Sequence, residues 1–350
     1  MKLHKFSKLA KFLSVAIIIS SLLTVRCLLL DNQSEEKTIE DKSKEKDSLI
    51  ANMDSATVFK RCKLYYSSEN YTEAFKCFQK AAEQGEDFAQ YRLGNMYYDG
   101  QGVKQDYFKA VEWYQKAAEQ GNAAAQCCLG FMYQYGQGVK QDYFKAFEWY
   151  QKAAEQGKAA AQCCLGFMYQ YGRGVKQDYF KAVEWYQKAA EQGNAAAQLY
   201  LGNMYENGRG VKQDYFKAVE WYQKAAEQGN ADAQCCLGNM YYFGRGIKQD
   251  YFKAFEWYQK AADQGEVLAQ CCLGVMYQYG RGVKQDYFKA FEWYQKAADQ
   301  RDADAQFNLG FMYYNGEGVR QNYTKAKEYF GLACDNKNQN GCDMYKKLNQ

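Results

Sequence analysis

Residues 122–157, NAAAQCCLGFMYQYGQGVKQDYFKAFEWYQKAAEQG, contain the pattern that decides the fold. The pattern returns every 36 residues, most visibly in seven Leu-Gly pairs at Leu93-Gly94, Leu129-Gly130, Leu165-Gly166, Leu201-Gly202, Leu237-Gly238, Leu273-Gly274 and Leu309-Gly310. A fixed period over so many copies is typical of a solenoid, in which each unit buries its apolar face on its neighbours. Because a solenoid has no single enclosed cleft, the sequence favours binding of a partner over catalysis.

Each repeat predicts two helices joined by glycine turns. In this copy helix A runs over about 123–135 and ends at Gly136, where glycine adopts the left-handed conformation without steric strain. Asp142 is a good N-cap for helix B over about 143–156, because its carboxylate accepts from exposed N–H groups. The apolar stripe of helix B follows helical spacing at Ala146, Tyr150, Ala153 and Ala154.

Composition argues against several classes of function. The formal net charge is +4, but five basic and no acidic residues fall in the first thirty positions. The rest of the chain is therefore close to neutral and lacks the concentrated positive charge that nucleic acid requires. The single histidine, His4, lies in the same segment. We predict no nucleic-acid partner, no metal site, no cofactor and no catalytic residue in the repeats.

Residues 1–30 are organised like a targeting segment. A lysine-rich start precedes an apolar run from Phe12 to Val25, as in a secretory signal. Lipidation of Cys27 is one alternative, although Arg26 stands where such a site requires a small residue, and an uncleaved anchor is another. We predict a signal peptide or N-terminal anchor, then a flexible charged linker over 31–54. Only this N-terminal segment, if it stays uncleaved, would contact a membrane.

A longer set of positions recurs in copy after copy. In one repeat these are Ala161, Leu165, Gly166, Tyr169, Gly172, Gly174, Val175, Asp178, Lys181, Ala182, Trp185, Tyr186, Lys188, Ala189, Ala190 and Gly193. This set resembles the Sel1-like repeat, a relative of the tetratricopeptide repeat. The resemblance implies an all-α, right-handed α/α superhelical solenoid. It also implies a scaffold or adaptor role, often in exported bacterial proteins, and hence a periplasmic or secreted location.

The resemblance divides the chain into units. Residues 55–335 contain a tetratricopeptide-like first unit followed by seven Sel1-like repeats. The first unit has the shorter connection and matches tetratricopeptide spacing at Tyr65, Ala74, Phe78 and Ala81. Residues 336–350 predict a C-terminal capping helix from about Gly341 to Leu348, because terminal units of arrays need a polar outer face.

By analogy with tetratricopeptide geometry, helix A lines the concave face. Aromatic side chains interleaved with Asn and Gln suit capture of a protein or peptide partner. The predicted contact residues are Cys127, Phe131, Gln134, Tyr135, Cys163, Phe167, Gln170, Tyr171, Asn203, Glu206, Asn239, Tyr242, Phe243 and Tyr279. Many of them could instead pack between helices. Their variation between repeats, against the near-identity of helix B, favours the binding role.

The cysteines are mostly of two kinds. Four adjacent pairs, at Cys127-Cys128, Cys163-Cys164, Cys235-Cys236 and Cys271-Cys272, point about 100° apart on a helix and predict free thiols that fill the core. A soft-metal or redox ladder is the alternative, and free thiols are unusual in an exported chain. Cys334 and Cys342 could form a disulfide between the last helix B and the cap, and Cys62 with Cys77 is a second candidate pair.

An enzymatic alternative comes from the C-terminal end. The spacing of Cys334 and Cys342 resembles the cysteine-rich Sel1 proteins of Helicobacter, some of which are described as penicillin-binding or β-lactamase proteins. In that subgroup every repeat carries the pair, whereas inner repeats here have, for example, Ala154 and Gln162 at these positions. Two Ser-x-x-Lys matches begin at Ser34 and Ser43 in the linker, without Lys-Thr-Gly, and are interpreted as chance. A β-lactamase-like hydrolase is the alternative function.

The Gly-x-Gly of each repeat follows a helix rather than a strand, so it predicts a turn and not a phosphate loop. Basic residues stand between or just after these glycines, at Arg173, Arg209, Arg245 and Arg281 and at Lys176, Lys212, Lys248 and Lys284. They predict either a cationic ridge along one edge or a solvated edge balanced by the glutamates of helix B.

Overall fold

The computed structural model describes residues 55–349, and within this range it contains seventeen helices and no strand. They are α1 Ser55–Ser67, α2 Tyr71–Glu83, α3 Asp87–Asp99, α4 Tyr107–Glu119, α5 Ala123–Tyr135, α6 Tyr143–Glu155, α7 Ala159–Tyr171, α8 Tyr179–Glu191, α9 Ala195–Asn207, α10 Tyr215–Glu227, α11 Ala231–Phe243, α12 Tyr251–Asp263, α13 Val267–Tyr279, α14 Tyr287–Asp299, α15 Ala303–Asn315, α16 Tyr323–Asp335 and α17 Gln339–Lys347. The predicted all-α repeat solenoid is confirmed. The predicted targeting segment and linker lie outside the described residues.

The chain divides into two compact units, residues 1–192 and 193–350. The described part of unit 1 contains α1 to α8, and that of unit 2 contains α9 to α17. Within each unit, successive helices pack on one another as hairpins. Helix A of the repeats is α3, α5, α7, α9, α11, α13 and α15, and helix B is the even-numbered helix that follows each of them. Among the described residues, no helix is both long and apolar enough to cross a membrane.

The helices begin and end where their capping residues require. The Asp142 carboxylate accepts from the backbone N–H groups of Phe144 and Lys145, at 3.0 and 3.1 Å, and starts α6. Gly136 ends α5 at φ 69°, and its N–H donates to Met132. The last helix begins two residues earlier than predicted, because Asn338 caps it by accepting from the Gly341 N–H.

The two helices of each repeat meet at a glycine and an aromatic ring. In α5 and α6, a Cβ on Gly130 would lie 2.7 Å from Cδ1 of Tyr150, which is closer than real Cβ atoms approach. Tyr150 is 1% exposed. The same contact recurs in all seven helix A–helix B pairs, at 2.5–2.7 Å, with Phe330 replacing tyrosine in the last pair. Only glycine therefore lets helix A approach the ring of helix B this closely.

Consecutive repeats are joined by a second glycine contact. Gly138, the second glycine of its Gly-x-Gly, packs directly on the backbone of Tyr107 and Phe108 at the start of the preceding helix B. The equivalent contact joins Gly102 to Tyr71, Gly174 to Tyr143, Gly246 to Tyr215, Gly282 to Tyr251 and Gly318 to Tyr287. The sequence predicted a turn at this motif but not its backbone contact with the neighbouring repeat.

A ladder of buried glutamines also connects the repeats. Gln126 donates to the carbonyl of Ala118 in the preceding helix B, at 3.1 Å, and accepts from Gln156 at 2.8 Å. Similar pairs of bonds form at Gln90, Gln162, Gln234, Gln270 and Gln306. Because buried polar groups are costly when unpaired, these bonds fix the register of one repeat on the next.

The described helices contain their own core. Buried apolar side chains run from Val58 to Ala333. Disulfides close both ends of the array, between Cys62 and Cys77 and between Cys334 and Cys342. A chain of residues 51–350 therefore includes these packing contacts and is expected to fold on its own.

Substitution Gly130→Ala tests the glycine contact. Helix propensity alone would make alanine more stable by about 1 kcal/mol. The added Cβ must instead displace the Tyr150 ring, and overpacking of this kind costs about 1–3 kcal/mol. We expect a net loss of stability, measured by urea unfolding of residues 51–350 followed by circular dichroism. A variant as stable as the parent, or more so, would show that the ring yields without strain.

Candidate partner-binding surface

The structure separates the predicted contact residues by exposure. Six of them are buried, namely Cys127, Phe131, Gln134, Cys163, Gln170 and Tyr242. Six are half-buried, namely Tyr135, Phe167, Asn203, Glu206, Asn239 and Phe243. Tyr171 and Tyr279 are exposed, at 39% and 61%. Burial of the first six corrects the expectation that they line an accessible surface. That helix A contacts a partner stays a prediction.

Several polar members of the set have an internal role. The Tyr186 hydroxyl donates to Gln170 at 2.7 Å, and the Tyr258 hydroxyl donates to Asn239 at 2.7 Å. The buried Tyr222 hydroxyl contacts both Asn203 and Glu206, at 2.6 and 2.7 Å. A buried hydroxyl must find an acceptor. These helix A residues therefore complete the hydrogen bonding of the buried tyrosine, whose ring packs on the Leu-Gly glycine of the same repeat.

Helix A supplies this acceptor from one of two positions. The first position supplies Asn95, Asn203 or Asn239, and the second, three residues later, supplies Gln170, Glu206 or Gln278. The last repeat has Phe311 and Tyr314 at the two positions, and its helix B carries Phe330, which has no hydroxyl. The helix A residues vary between repeats, and in the sequence alone this variation indicates binding. In these repeats the variation instead provides an acceptor for the buried tyrosine hydroxyl.

Substitution Phe330→Tyr tests this dependence. The new hydroxyl would be buried among Phe307 and Phe311, whose ring centroids lie 5.8 and 5.3 Å from that of Phe330. An unpaired buried hydroxyl costs about 1–3 kcal/mol. We expect Phe330→Tyr to lower the urea midpoint, and Phe311→Asn to restore much of the loss when combined with it. Equal midpoints for Phe330→Tyr with and without Phe311→Asn would contradict the assignment.

Unit 1 carries an aromatic cluster at the C-terminal ends of its helices A. Phe131 packs on Tyr135 with ring centroids 4.5 Å apart, and Phe167 packs on Tyr171 at 4.6 Å. The guanidinium of Arg173 lies 5.1 Å from the centroid of Phe167. In the first pair the buried Phe131 supports the half-buried Tyr135, and in the second the half-buried Phe167 supports the exposed Tyr171.

Unit 2 has a related cluster in which arginine is central. The Arg281 guanidinium lies 5.5 Å from the centroid of Tyr242 and 5.6 Å from that of Tyr279. It also donates a hydrogen bond to the Tyr242 hydroxyl. Phe243 packs on Tyr242 with centroids 4.9 Å apart. The arginine is held by aromatic faces, so the predicted cationic ridge is here an aromatic–arginine surface.

The cysteines behave as the spacing predicted. All eight cysteines of the adjacent pairs are free, and the first of each pair is buried. Burial raises the pKa of the Cys127 and Cys163 thiols well above the usual value and that of Cys164 to about 11. These thiols are protonated at neutral pH and unreactive. Both candidate disulfides are present. Within residues 55–349, no group of three or more His, Cys, Asp or Glu is arranged to hold a metal ion.

Unit 2 also buries carboxylates at the N-termini of its helices A. Burial raises the pKa of Glu266, the N-cap of α13, to about 7, and the neighbouring charge of Asp232 adds to the shift. Burial likewise raises the pKa of Asp302, the N-cap of α15, to about 6. Other repeats have Asn122, Asn194 and Asn230 at this position, and each caps its helix without a charge.

Substitution Glu266→Asn should raise stability above neutral pH. Because the folded pKa exceeds the ordinary value of 4.5, the folded state binds the proton more tightly, and stability falls as pH rises from about 4.5 to about 7. Asparagine keeps the cap, so we expect a gain of roughly 1–3 kcal/mol at pH 8 and little change at pH 4. Urea unfolding at both pH values measures it. A gain of the same size at pH 4 would contradict the electrostatic cause.

The fold and its repeating contacts define a class of protein, the tetratricopeptide-like helix-hairpin solenoids. The family model of the Sel1 repeat matches residues 64–86, 87–122, 123–158, 159–194, 195–230, 231–266, 267–302 and 303–338. The chain therefore belongs to the Sel1 repeat family, as its sequence resemblance predicted.

Solved structures support the same assignment. A protective antigen of uropathogenic Escherichia coli with an SLR fold is 37% identical, with a TM-score of 0.72, and the match covers 85% of this chain and 67% of that one. A Sel1 repeat protein from Oxalobacter formigenes is 36% identical, with a TM-score of 0.64, covering 84% and 86%. No functionally curated protein matches this chain.

The cysteine-rich relatives are also found. Cysteine rich protein B of Helicobacter pylori is 29% identical over 37% of this chain and 92% of that one, with a TM-score of 0.31. Because this superposition is poor, the likeness carries no argument about activity.

Proposed function

We propose that this chain is an exported, non-catalytic scaffold that binds a protein or peptide partner through the C-terminal ends of its helices A. The supporting observation is that Tyr171 and Tyr279 expose their rings where most of helix A is committed to packing. Tyrosine and arginine are enriched at the energetic centres of protein interfaces. Each unit places such side chains on rigid helices, which lowers the entropy lost when a partner binds.

Export is supported by the chemistry of the two ends. Disulfides persist in oxidising compartments, and the described residues carry one at each end of the array. The free thiols do not conflict with this location, because burial raises the pKa of thiols such as Cys127 and Cys164 and so keeps them protonated. The N-terminal segment that would direct export lies outside the described residues.

A hydrolase is not proposed. The two Ser-x-x-Lys matches of the sequence lie outside the described residues, and the inner repeats carry glutamine ladders where the cysteine-rich subgroup carries bridged cysteines. Hydrolysis of a chromogenic β-lactam by purified residues 51–350 would overturn this choice directly.

Substitution of Tyr171→Glu with Tyr279→Glu tests the surface. Residues 51–350 serve as bait for cross-linked capture from an extract of the source organism, followed by mass spectrometry. We expect one protein to be retained by the parent and reduced at least about tenfold with the double variant, since tyrosine is enriched among the interface residues whose loss costs about 2 kcal/mol or more.

Tyr345→Glu is the matched control. Tyr345 is 37% exposed but lies on the C-terminal helix α17, so its change should leave capture intact. If the double variant and the control retain the same proteins in the same amounts, the ends of helix A are not the site.

A further inference from the structure

In each of the two units, exposed phenylalanines mark a second kind of surface that the proposed partner site does not use. Phe108, Phe144, Phe180, Phe216, Phe252 and Phe288 each occupy the second residue of a helix B, and each is 72–73% exposed. Exposing the apolar surface of six phenylalanine rings to water is unfavourable in free energy. Three of these rings belong to unit 1 and three to unit 2, on the same edge of each repeat.

The fold itself does not require phenylalanine at this position. The last hairpin carries Thr324 there, and its helix begins in the same way as the others, with an extended N-cap at Asn322. The first hairpin also has a threonine, Thr72, although its N-cap Asn70 has a different backbone conformation. A side chain that threonine replaces without changing the helix is not held by packing. Packing within the repeat therefore does not explain why phenylalanine stands at this position.

Lysines flank every ring. One exposed lysine precedes it by four residues, at Lys104, Lys140, Lys176, Lys212, Lys248 and Lys284, and another follows it directly. The following lysine is held over a tyrosine of helix A, as Lys145 is over Tyr133 at 5.3 Å. Two carboxylates also stand near each ring in the sequence. In this copy Asp142 is turned to the backbone N–H groups of its own helix, and the exposed Glu148 follows the ring by four residues. We call these phenylalanines and their flanking lysines the phenylalanine edge.

In unit 2 this edge contains a groove. It has a volume of about 510 Å³ and is lined by Tyr241, Ile247, Lys248, Gln249, Asp250, Tyr251, Phe252, Lys253 and Gly282. The Asp250 carboxylate accepts from the backbone N–H of Lys253. Apolar and cationic side chains therefore share one concave surface. An anionic headgroup joined to a hydrocarbon chain has the matching chemistry.

We propose that the phenylalanine edge docks on the surface of a bilayer that contains anionic phospholipid. Exposed rings enter the interface between headgroups and chains, while lysines next to them bind the phosphates. The near-identity of the edge in every repeat fits a ligand that is uniform along its surface. A protein of irregular sequence would have to match the same side chains six times, and a second copy would oppose lysines to lysines.

The test uses residues 51–350, so that the N-terminal apolar run does not contribute. The probe is a flotation assay with vesicles of three parts phosphatidylcholine to one part phosphatidylglycerol, beside vesicles of phosphatidylcholine alone. We expect retention on the anionic vesicles that falls as salt is raised. Replacement of all six phenylalanines by threonine should reduce retention at least about tenfold while circular dichroism stays unchanged.

Two controls make the result specific. Six Gln→Ser changes, at Gln115, Gln151, Gln187, Gln223, Gln259 and Gln295, alter the same helices two turns away and should leave retention intact. Tyr171→Glu with Tyr279→Glu should also leave it intact, which separates this proposal from the partner site.

Four outcomes overturn the proposal. They are no retention of the parent chain, equal retention on neutral and anionic vesicles, full retention of the six-threonine variant, and loss of retention in the Gln→Ser control. If the threonine changes instead abolish capture of a protein or dissociate a dimer seen by gel filtration, without any vesicle binding, the edge belongs to that protein or to a second copy.

Discussion

The close approach of a glycine on helix A to an aromatic ring on helix B is the constraint on which the rest of the structure depends. At 2.5–2.7 Å, the position a Cβ would occupy is already filled by the ring, so the hairpin closes only around glycine. The ring is then fully buried, and a tyrosine ring takes its hydroxyl into the core with it. The polar residues of helix A, and through them the surface left for a partner, follow from that burial.

Apart from the residues that pack or form hydrogen bonds inside the repeats, two surfaces remain exposed. The ends of helix A keep Tyr171 and Tyr279 accessible beside arginines that rest on aromatic rings. The starts of helix B keep the phenylalanine edge, whose rings touch solvent although the fold does not need them. The first surface varies in sequence between repeats and suits a specific protein or peptide partner. The second is nearly constant and suits a ligand with a uniform surface, such as a bilayer. A scaffold that holds a partner close to a membrane would use both.

The outcome for helix A shows why candidate sites are harder to predict than folds. Asn203, Asn239 and Gln170 have the residue types of a peptide-binding surface, and their period places them correctly on helix A. Whether such an amide faces solvent or a buried hydroxyl depends on how helix A is rotated against helix B. A displacement of the amide by a few ångströms is enough to change its partner. A signal was present in the sequence, because Phe330 replaces tyrosine where Phe311 and Tyr314 leave no acceptor.

The sequence by itself determined the class of fold, most of the helix limits and the capping role of Asp142, and it indicated Cys334 and Cys342 as a candidate pair. These depend on local rules, namely the period of apolar residues, the preferences of caps and glycines, and the length of a closed loop. Only the tertiary structure decided which polar side chains are consumed inside, that Gly138 packs on the backbone of the preceding repeat, and that six phenylalanines stay exposed. The reason is that burial is set by neighbours distant in sequence, and no local pattern records how closely two helices pack.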